Sequence, residues 1–265
     1  MAQWSVKRGE HFNPSNNNLH EVVMVADKDG NILNTSGAAS NIPLAAGQVT
    51  GYKHVHKFGA TDGDVTSGVI WDGNDNNDTY PGPITGTPEV NSLNNVGDIV
   101  VIEGLDLDFN EQTEEVAIGD TATLSFGRVF RAYMLDTINI SDVTINMAGI
   151  PVNMAIILAG NGQTLMAVYT VPAGKTAYLL ELTLGSDKAS TNSAMTYSLI
   201  AREDFNGGVP RIKGRFNSAG GQNIRMEYPV PLQFLEKTDI RIDVEAAQAA
   251  SCSATFDLIL VDNIL

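Results

Sequence analysis

A single cysteine, Cys252, occurs among the 265 residues, so an intrachain disulfide and a cysteine-based zinc site are excluded. Long apolar runs are missing as well. No stretch approaches the roughly 20 residues that span a bilayer as a helix, and the N-terminal Met-Ala-Gln-Trp-Ser-Val-Lys-Arg lacks the apolar segment of a signal peptide. The expectation is a chain made and kept in a cytosol. Charge is also scarce, at 18% of residues, where soluble domains average roughly 25%. Most notable is a local absence: from Phe58 to Gly127 there is no Lys or Arg, against fourteen Asp and Glu. Residues 1–57 hold five bases and four acids, and residues 128–265 hold eleven and thirteen, so the net charge of −15 belongs to one segment. Nucleic acids and anionic membranes are bound through clustered cations, which disfavours both as direct partners of this segment.

Helical periodicity is the next thing the chain lacks. No convincing amphipathic helix exceeds two or three turns. The runs that are present alternate or are short and apolar: EVVMVA at 21–26, DIVVIEG at 98–104, TAYLLELTL at 176–184, AMTYSLIA at 194–201, DIRIDVEA at 239–246 and CSATFDLILV at 252–261. Each is bounded by Gly, Pro, Asn or Asp, which is the pattern of strands and turns. Strands at about ten-residue spacing without intervening helices predict an all-β fold of antiparallel β-sandwich or jelly-roll units. Within the last run Cys252 alternates with Ala254, Phe256, Leu258 and Leu260, which places it in the core.

Three segments are expected. Residues 1–57 form an extended N-terminal arm with a β-hairpin, since Asp29-Gly30 suits a tight turn between EVVMVA and Asn31-Ile32-Leu33. The flanking HFNPSNNN and NTSGAASNIPLAAGQVTG are polar or small and read as extended. Residues 58–146 form an acidic β-domain in which 72–97 is a long surface loop dense in turn residues. Residues 147–265 form a C-terminal sandwich, with the seam near Asn139–Pro151.

Motifs for chemistry are weak. Pro172-Ala173-Gly174-Lys175-Thr176 ends like a phosphate-binding loop, but the required earlier glycine is Tyr169 and strands surround it. Gly160-Asn161-Gly162 opens like a dinucleotide fingerprint, but Leu165 takes the third glycine position, so a turn is the better reading. His54 and His56 share a strand face without a third histidine nearby. Asp72, Asp75 and Asp78 crowd one loop and are candidate Ca²⁺ or Mg²⁺ ligands, with a spacing unlike an EF-hand. Glu111, Glu114 and Glu115 are the carboxylates from which a glycosidase pair could be drawn. Neither a Gly-x-Ser-x-Gly elbow nor a His-Glu-x-x-His helix occurs, and no cofactor is implied. Arg211, Lys213 and Arg215 alternate with Ile212, Gly214 and Phe216 to make a basic stripe on a strand, fit for an anionic partner.

Several stretches resemble a family of tailed-bacteriophage virion structural proteins of marine and cyanobacterial phages. They are KRGEHFNPSNNNLHEVVMVADKDGN, NIPLAAGQ and GYKHVHKFG near the N-terminus, Ile70-Trp71-Asp72-Gly73, Ile102-Glu103-Gly104-Leu105-Asp106 followed by Glu111-Gln112-Thr113-Glu114, GQTLMAVYTVPAGKTAYL, and EKTDIRIDV. In one departure, Asn74-Asp75-Asn76-Asn77-Asp78 follows the Trp-Asp-Gly element where the family usually has a Gly-rich turn.

The resemblance implies a many-copy, non-enzymatic virion component assembled in the host cytoplasm. The expectation drawn from it is a capsid decoration or cement protein, a homo-oligomer with a trimer favoured, whose partners are the major capsid protein and other virion proteins. Trp4, Phe12, Ile42 and Leu44 on the arm, with Arg211, Lys213 and Arg215, are the expected contacts. The alternative is a tail- or fibre-associated module in which the 72–97 loop or the basic stripe meets host-surface glycan, with Trp71 and Tyr80 stacking on sugar rings.

Overall fold

The computed structural model describes residues 5–13, 18–26, 32–33, 42–61, 63–73, 80, 86–187, 194–203, 208–219 and 221–263, with side chains described from Leu44 onward except at 150–152. Two compact units are formed, one by residues 1–54 with 261–265 and one by residues 55–260.

In the smaller unit, β1 (Ser5–Asn13) and β2 (Asn18–Ala26) pair antiparallel from Ser5↔Ala26 to Asn13↔Asn18. β3 (Ile32–Leu33) adds to β2 through Val25↔Leu33 and Ala26↔Ile32. The strands expected to flank Asp29-Gly30 pair antiparallel, while Asp29 and Gly30 themselves lie outside the described residues. Part of the stretch expected to be extended lies in a paired strand: His11, Phe12 and Asn13 lie opposite His20, Leu19 and Asn18. Backbone hydrogen bonds along a nine-residue ladder do not require apolar side chains, so the shortage of core formers there did not forbid a strand. A single-turn helix, α1 (Ile42–Ala45), precedes the larger unit.

The larger unit is all-β and its ladders are antiparallel. One sheet has the order β16-β13-β18-β4, from β4 (Tyr52–Ala60), β13 (Lys175–Ser186), β16 (Ile224–Phe234) and β18 (Cys252–Asp262). A second has the order β12-β17-β14-β15, from β12 (Val168–Thr170), β14 (Ala194–Arg202), β15 (Arg211–Ala219) and β17 (Asp239–Ala250), with β5 (Val65–Val69) also paired to β17. The expected alternation holds: Cys252, Ala254, Phe256, Leu258 and Leu260 are all buried, as are Ile240, Ile242 and Val244. On β13 the buried parity shifts from Leu179 to Leu182 across an irregularity opposite residues 228–231.

Two smaller sheets complete the unit. β6 (Pro88–Ser92), β10 (Val143–Met147) and β11 (Ile150–Ile157) pair in the order β11-β10-β6, and β7 (Ile99–Leu105), β8 (Glu111–Ala117) and β9 (Arg128–Met134) in the order β8-β7-β9. Part of the expected 72–97 surface loop is thus a strand, because Val90 is fully buried and pairs with Ile145. The seam expected near Asn139–Pro151 falls inside the β10–β11 hairpin, and one hydrophobic cluster runs from Val69 to Leu260 across it.

The Gly-Leu-Asp of β7 is built for close approach. A Cβ on Gly104 would lie 2.0 Å from the Arg128 carbonyl oxygen, where β7 and β9 shift register. Just beyond, the Asp106 carboxylate accepts the Asp108 and Asn110 amides at 2.8 Å each, closing the turn into β8. Because the clash at Gly104 is with backbone, no rotamer relieves it. Gly104→Ala is expected to destabilise the protein by about 3 kcal/mol, read as a lower urea midpoint with an unchanged m-value.

Candidate interaction surfaces

Asp239, at the start of β17, sits 4% exposed and accepts from three side chains. Arg128 Nε donates to Oδ1 at 2.8 Å and Thr170 Oγ1 to the same oxygen at 2.7 Å. Arg202 donates to Oδ2 through Nε at 3.1 Å and Nη2 at 3.0 Å. Arg128 is itself 3% exposed, with Nη1 on the Gly127 carbonyl and its guanidinium 5.2 Å from the Phe109 ring centroid. Thr170 Oγ1 also shares a 2.8 Å hydrogen bond with the Tyr80 hydroxyl. Burial, with the Asp239 charge, pushes the Tyr80 phenol well above its usual range. β9, β12, β14, β17 and Tyr80 thus meet at one desolvated anion.

This arrangement decides what Tyr80 and Trp71 can do. Tyr80 packs against the core, and its carbonyl accepts Arg241 Nη1 at 3.0 Å. Trp71 is 5% exposed and bridges Met166. A Cβ on Gly73 would meet the Trp71 ring at 2.8 Å, so glycine there lets the indole fold over its own loop. Trp71 therefore offers no face for sugar stacking, which corrects the expectation for it, while Tyr80 is half-buried with its hydroxyl engaged by Thr170. Asp72 is 2% exposed, and it clamps Leu165 by accepting its amide at 2.8 Å and donating its own amide to its carbonyl at 3.1 Å. Asp75 and Asp78 lie outside the described residues. Among the described residues no cluster of three or more His, Cys, Asp or Glu is arranged to hold a metal.

The remaining candidates fall as follows. Arg211, Lys213 and Arg215 line the edge strand β15, as the alternation predicts, but each faces an acid of the same chain: Arg211 and Lys213 pair with Glu203, and Arg215 with Glu245 at 3.1 Å. Of the arm positions, Trp4 lies outside the described residues, the side chains of Phe12 and Ile42 are not described, and Leu44 is half-buried. His56 bonds Asp257 at 2.9 Å on the outer face of its strand. Glu114 accepts Thr123 and Leu124 amides at 2.6 and 2.9 Å, holding the loop after β8. The Pro172–Thr176 stretch is a turn with Gly174 at φ 73°.

One surface was not foreseen. Loop 93–98 and loop 135–141 meet at an end of the larger unit and expose Leu93, Val96, Ile138 and Ile140 at 89%, 74%, 67% and 74%. These are held by a polar frame. Asn94 Nδ2 donates to Ser141 Oγ at 2.7 Å, Asn95 Oδ1 accepts the Ile140 amide at 3.0 Å, and Thr137 Oγ1 donates to Asp98 Oδ2 at 3.0 Å. Fully buried Asn139 completes the frame, its Nδ2 on the Ile157 carbonyl at 3.0 Å and its Oδ1 taking the Gly162 amide at 3.0 Å. In sequence the apolar residues are scattered through turn-rich segments without periodicity, so only the Asn-rich composition of those loops hinted at a built structure.

A second buried charge lies between sheets. Lys57 of β4 is 7% exposed, donates Nζ to the Phe130 carbonyl, and lies 5.2 Å from the Phe130 ring centroid. Burial, helped by the nearby Arg131 guanidinium and opposed by Glu103, lowers it from 10.5 to about 7.

No family model matches the chain, and no curated protein matches it. Among solved structures it is similar to a chain of the cowpea mosaic virus empty virus-like particle seen by electron cryo-microscopy, with 8% identity over 71% of this chain and 88% of that one and a TM-score of 0.25. It is also similar to a chain in the structure of infectious bursal disease virus, Gx strain, with 10% identity over 80% of this chain and 71% of that one and a TM-score of 0.25. At such scores neither match carries an argument about this chain.

Two measurements check the buried charges. Asp239→Asn leaves Arg128 without its counter-charge and is expected to cost about 3–5 kcal/mol in denaturant unfolding, whereas Tyr80→Phe costs about 1 kcal/mol. Between pH 7 and 10.5 the unfolded chain holds a proton on Lys57 that the folded chain has released, so stability rises with pH across that window, with a slope from this group approaching about 1.4 kcal/mol per pH unit. Lys57→Met is expected to remove that slope; an identical pH profile in the variant excludes Lys57 as its source.

Proposed function

We propose that the protein is a non-enzymatic structural component of a virus particle, most specifically a capsid decoration or cement protein that acts as a homo-oligomer on the shell. The observation that carries this reading is the exposed aliphatic cluster of Leu93, Val96, Ile138 and Ile140. Isolated apolar residues on a surface need no explanation, but four strongly exposed ones on two loops tied together by hydrogen bonds suit a protein contact. The frame around Asn95 and Asn139 orders these loops before any partner arrives, which lowers the entropy lost on docking. The motif resemblance to tailed-phage virion proteins supplies the setting, and the shell protein is the partner it implies.

In this reading the larger unit docks by its apolar end, and the N-terminal segment, with its β1–β2–β3 ladder, adds a second attachment to neighbouring subunits. The acidic segment suits a solvent-facing role: apart from Asp72, its described acids are exposed or half-buried. The glycan-binding alternative loses Trp71, which is buried, and is left with a half-buried Tyr80 tied to Thr170.

Replacing Leu93, Ile138 and Ile140 together by Asn is expected to lower incorporation into particles at least tenfold while leaving the melting temperature of the purified protein unchanged, since none of the three is buried. Wild-type incorporation by that variant overturns the docking surface. Electron microscopy of particles carrying a tagged copy is expected to place the label over the shell; label confined to the tail overturns the decoration role.

A further inference from the structure

A groove of about 350 Å³ runs beside the apolar end, between the end of β9, the loop that follows it, and the turn at 161–163. Its volume lies at the low end of the ~300–1,000 Å³ usual for ligand sites, enough for a mono- or disaccharide. Arg131 and Tyr133 project from β9, Asp136 and Thr137 come from the following loop, and Asn161 and Gln163 face them from the turn. The turn is fixed to the strand edge, with the Met134 amide on the Gly162 carbonyl at 2.8 Å and the Thr164 amide on the Ala132 carbonyl at 2.9 Å.

Arg131 is the informative residue. Residues 58–174 contain only two cations, Arg128 and Arg131. Arg128 is buried and bonds Asp239 at 2.8 Å. Arg131, on the same strand, has a side chain 41% exposed, and its polar contacts are long: 3.4 and 3.5 Å from Nη1 to Glu103, and 3.5 Å from Nη2 to Gln163. Charge-assisted bonds of this kind settle at about 2.7–2.9 Å when made fully. The guanidinium therefore keeps donor capacity in hand. It lies 4.6 Å from the Tyr133 ring centroid, which constrains its plane.

We propose that this groove binds an acidic saccharide, a sugar ring bearing a carboxylate such as a uronate or a sialate. The planar carboxylate takes the Arg131 fork. Asn161, Gln163 and Thr137 supply donors and acceptors for ring hydroxyls, and Asp136 accepts from them. Asp136 and Glu103 repel any anion, and they repel phosphate, which carries up to two charges, more than a single carboxylate. The groove adjoins the docking surface proposed above and shares Ile138 with it, but Arg131, Asn161 and Gln163 take no part in that surface, so either proposal can fail alone.

The test uses the full-length protein with saturation-transfer NMR and calorimetry. Oligogalacturonate and sialyllactose are the probes, with lactose and inorganic phosphate as comparisons. At least one acidic sugar is expected to bind, with an affinity that falls as salt rises. Arg131→Gln is expected to weaken that binding about tenfold or more, the loss of a charge-assisted fork. Asn161→Ala, on an exposed turn, is expected to weaken it several-fold with an unchanged melting temperature, and so reports on the groove even if Arg131→Gln perturbs the fold. The proposal is overturned if no acidic sugar binds at millimolar concentration, if lactose or phosphate binds as well, or if Asn161→Ala leaves the affinity of the acidic sugar unchanged.

Discussion

A single carboxylate, that of Asp239, holds together what the backbone ladders leave separate. The strand bearing it pairs directly with β14 and β12, but β9 belongs to a different sheet with its own neighbours. Arg128 crosses that gap, and Arg202 and Thr170 fill the remaining lone pairs. A buried ion pair is a weak source of net stability, because desolvation offsets its Coulomb energy. Its value here is specificity. Once the anion is desolvated, every neighbouring element must keep its donor in place, so the small β7–β8–β9 sheet has one permitted seat against β12, β14 and β17. Tyr80 is drawn in by the same requirement through Thr170, and with it the ring that could otherwise have served as an exposed platform.

The chemistry of the surface follows from where such buried polar groups are spent. Arg128 and Lys57 are used inside, and Arg211, Lys213 and Arg215 are matched by Glu203 and Glu245 on their own surface. Arg131 alone of the cations in 58–174 remains loosely held at a groove. At the neighbouring end of the unit, buried Asn139 and its partners make two irregular loops rigid and so hold aliphatic side chains out in water. In the readings proposed above, the apolar end meets protein and the groove beside Arg131 takes the carboxylate of a sugar, so neighbouring surfaces serve different chemistry.

Much of the fold was legible because a period of two survives translation into structure. The alternation in CSATFDLILV and DIRIDVEA places their buried faces without reference to partners, and Pro172–Gly174 and Gly160–Gly162 read as turns for reasons local to the chain. The site was less legible. The Trp-Asp-Gly element and Tyr80 looked like exposed loop chemistry because they lie among Asn, Asp and Gly, yet distant residues decide their fate: Trp71 meets Met166, Asp72 meets Leu165, and Tyr80 meets Thr170. The strand at Pro88–Ser92 was hidden in the same way, since five residues in a turn-rich stretch become a strand only when β10 lies beside them.

What the amino-acid sequence determined by itself was local: an all-β chain, its alternating faces, its tight turns, the confinement of the net negative charge to 58–127, and the impossibility of an intrachain disulfide. Each depends on residue type and near spacing alone. What only the tertiary structure decided was the set of encounters across long separations, such as Arg128 with Asp239, 111 residues apart, and Asn95 with Ile140, 45 residues apart. Periodicity says which side of a strand is buried but not which strand lies against it, and a charge or an aromatic ring acquires its role only from the partner that removes it from water or leaves it there.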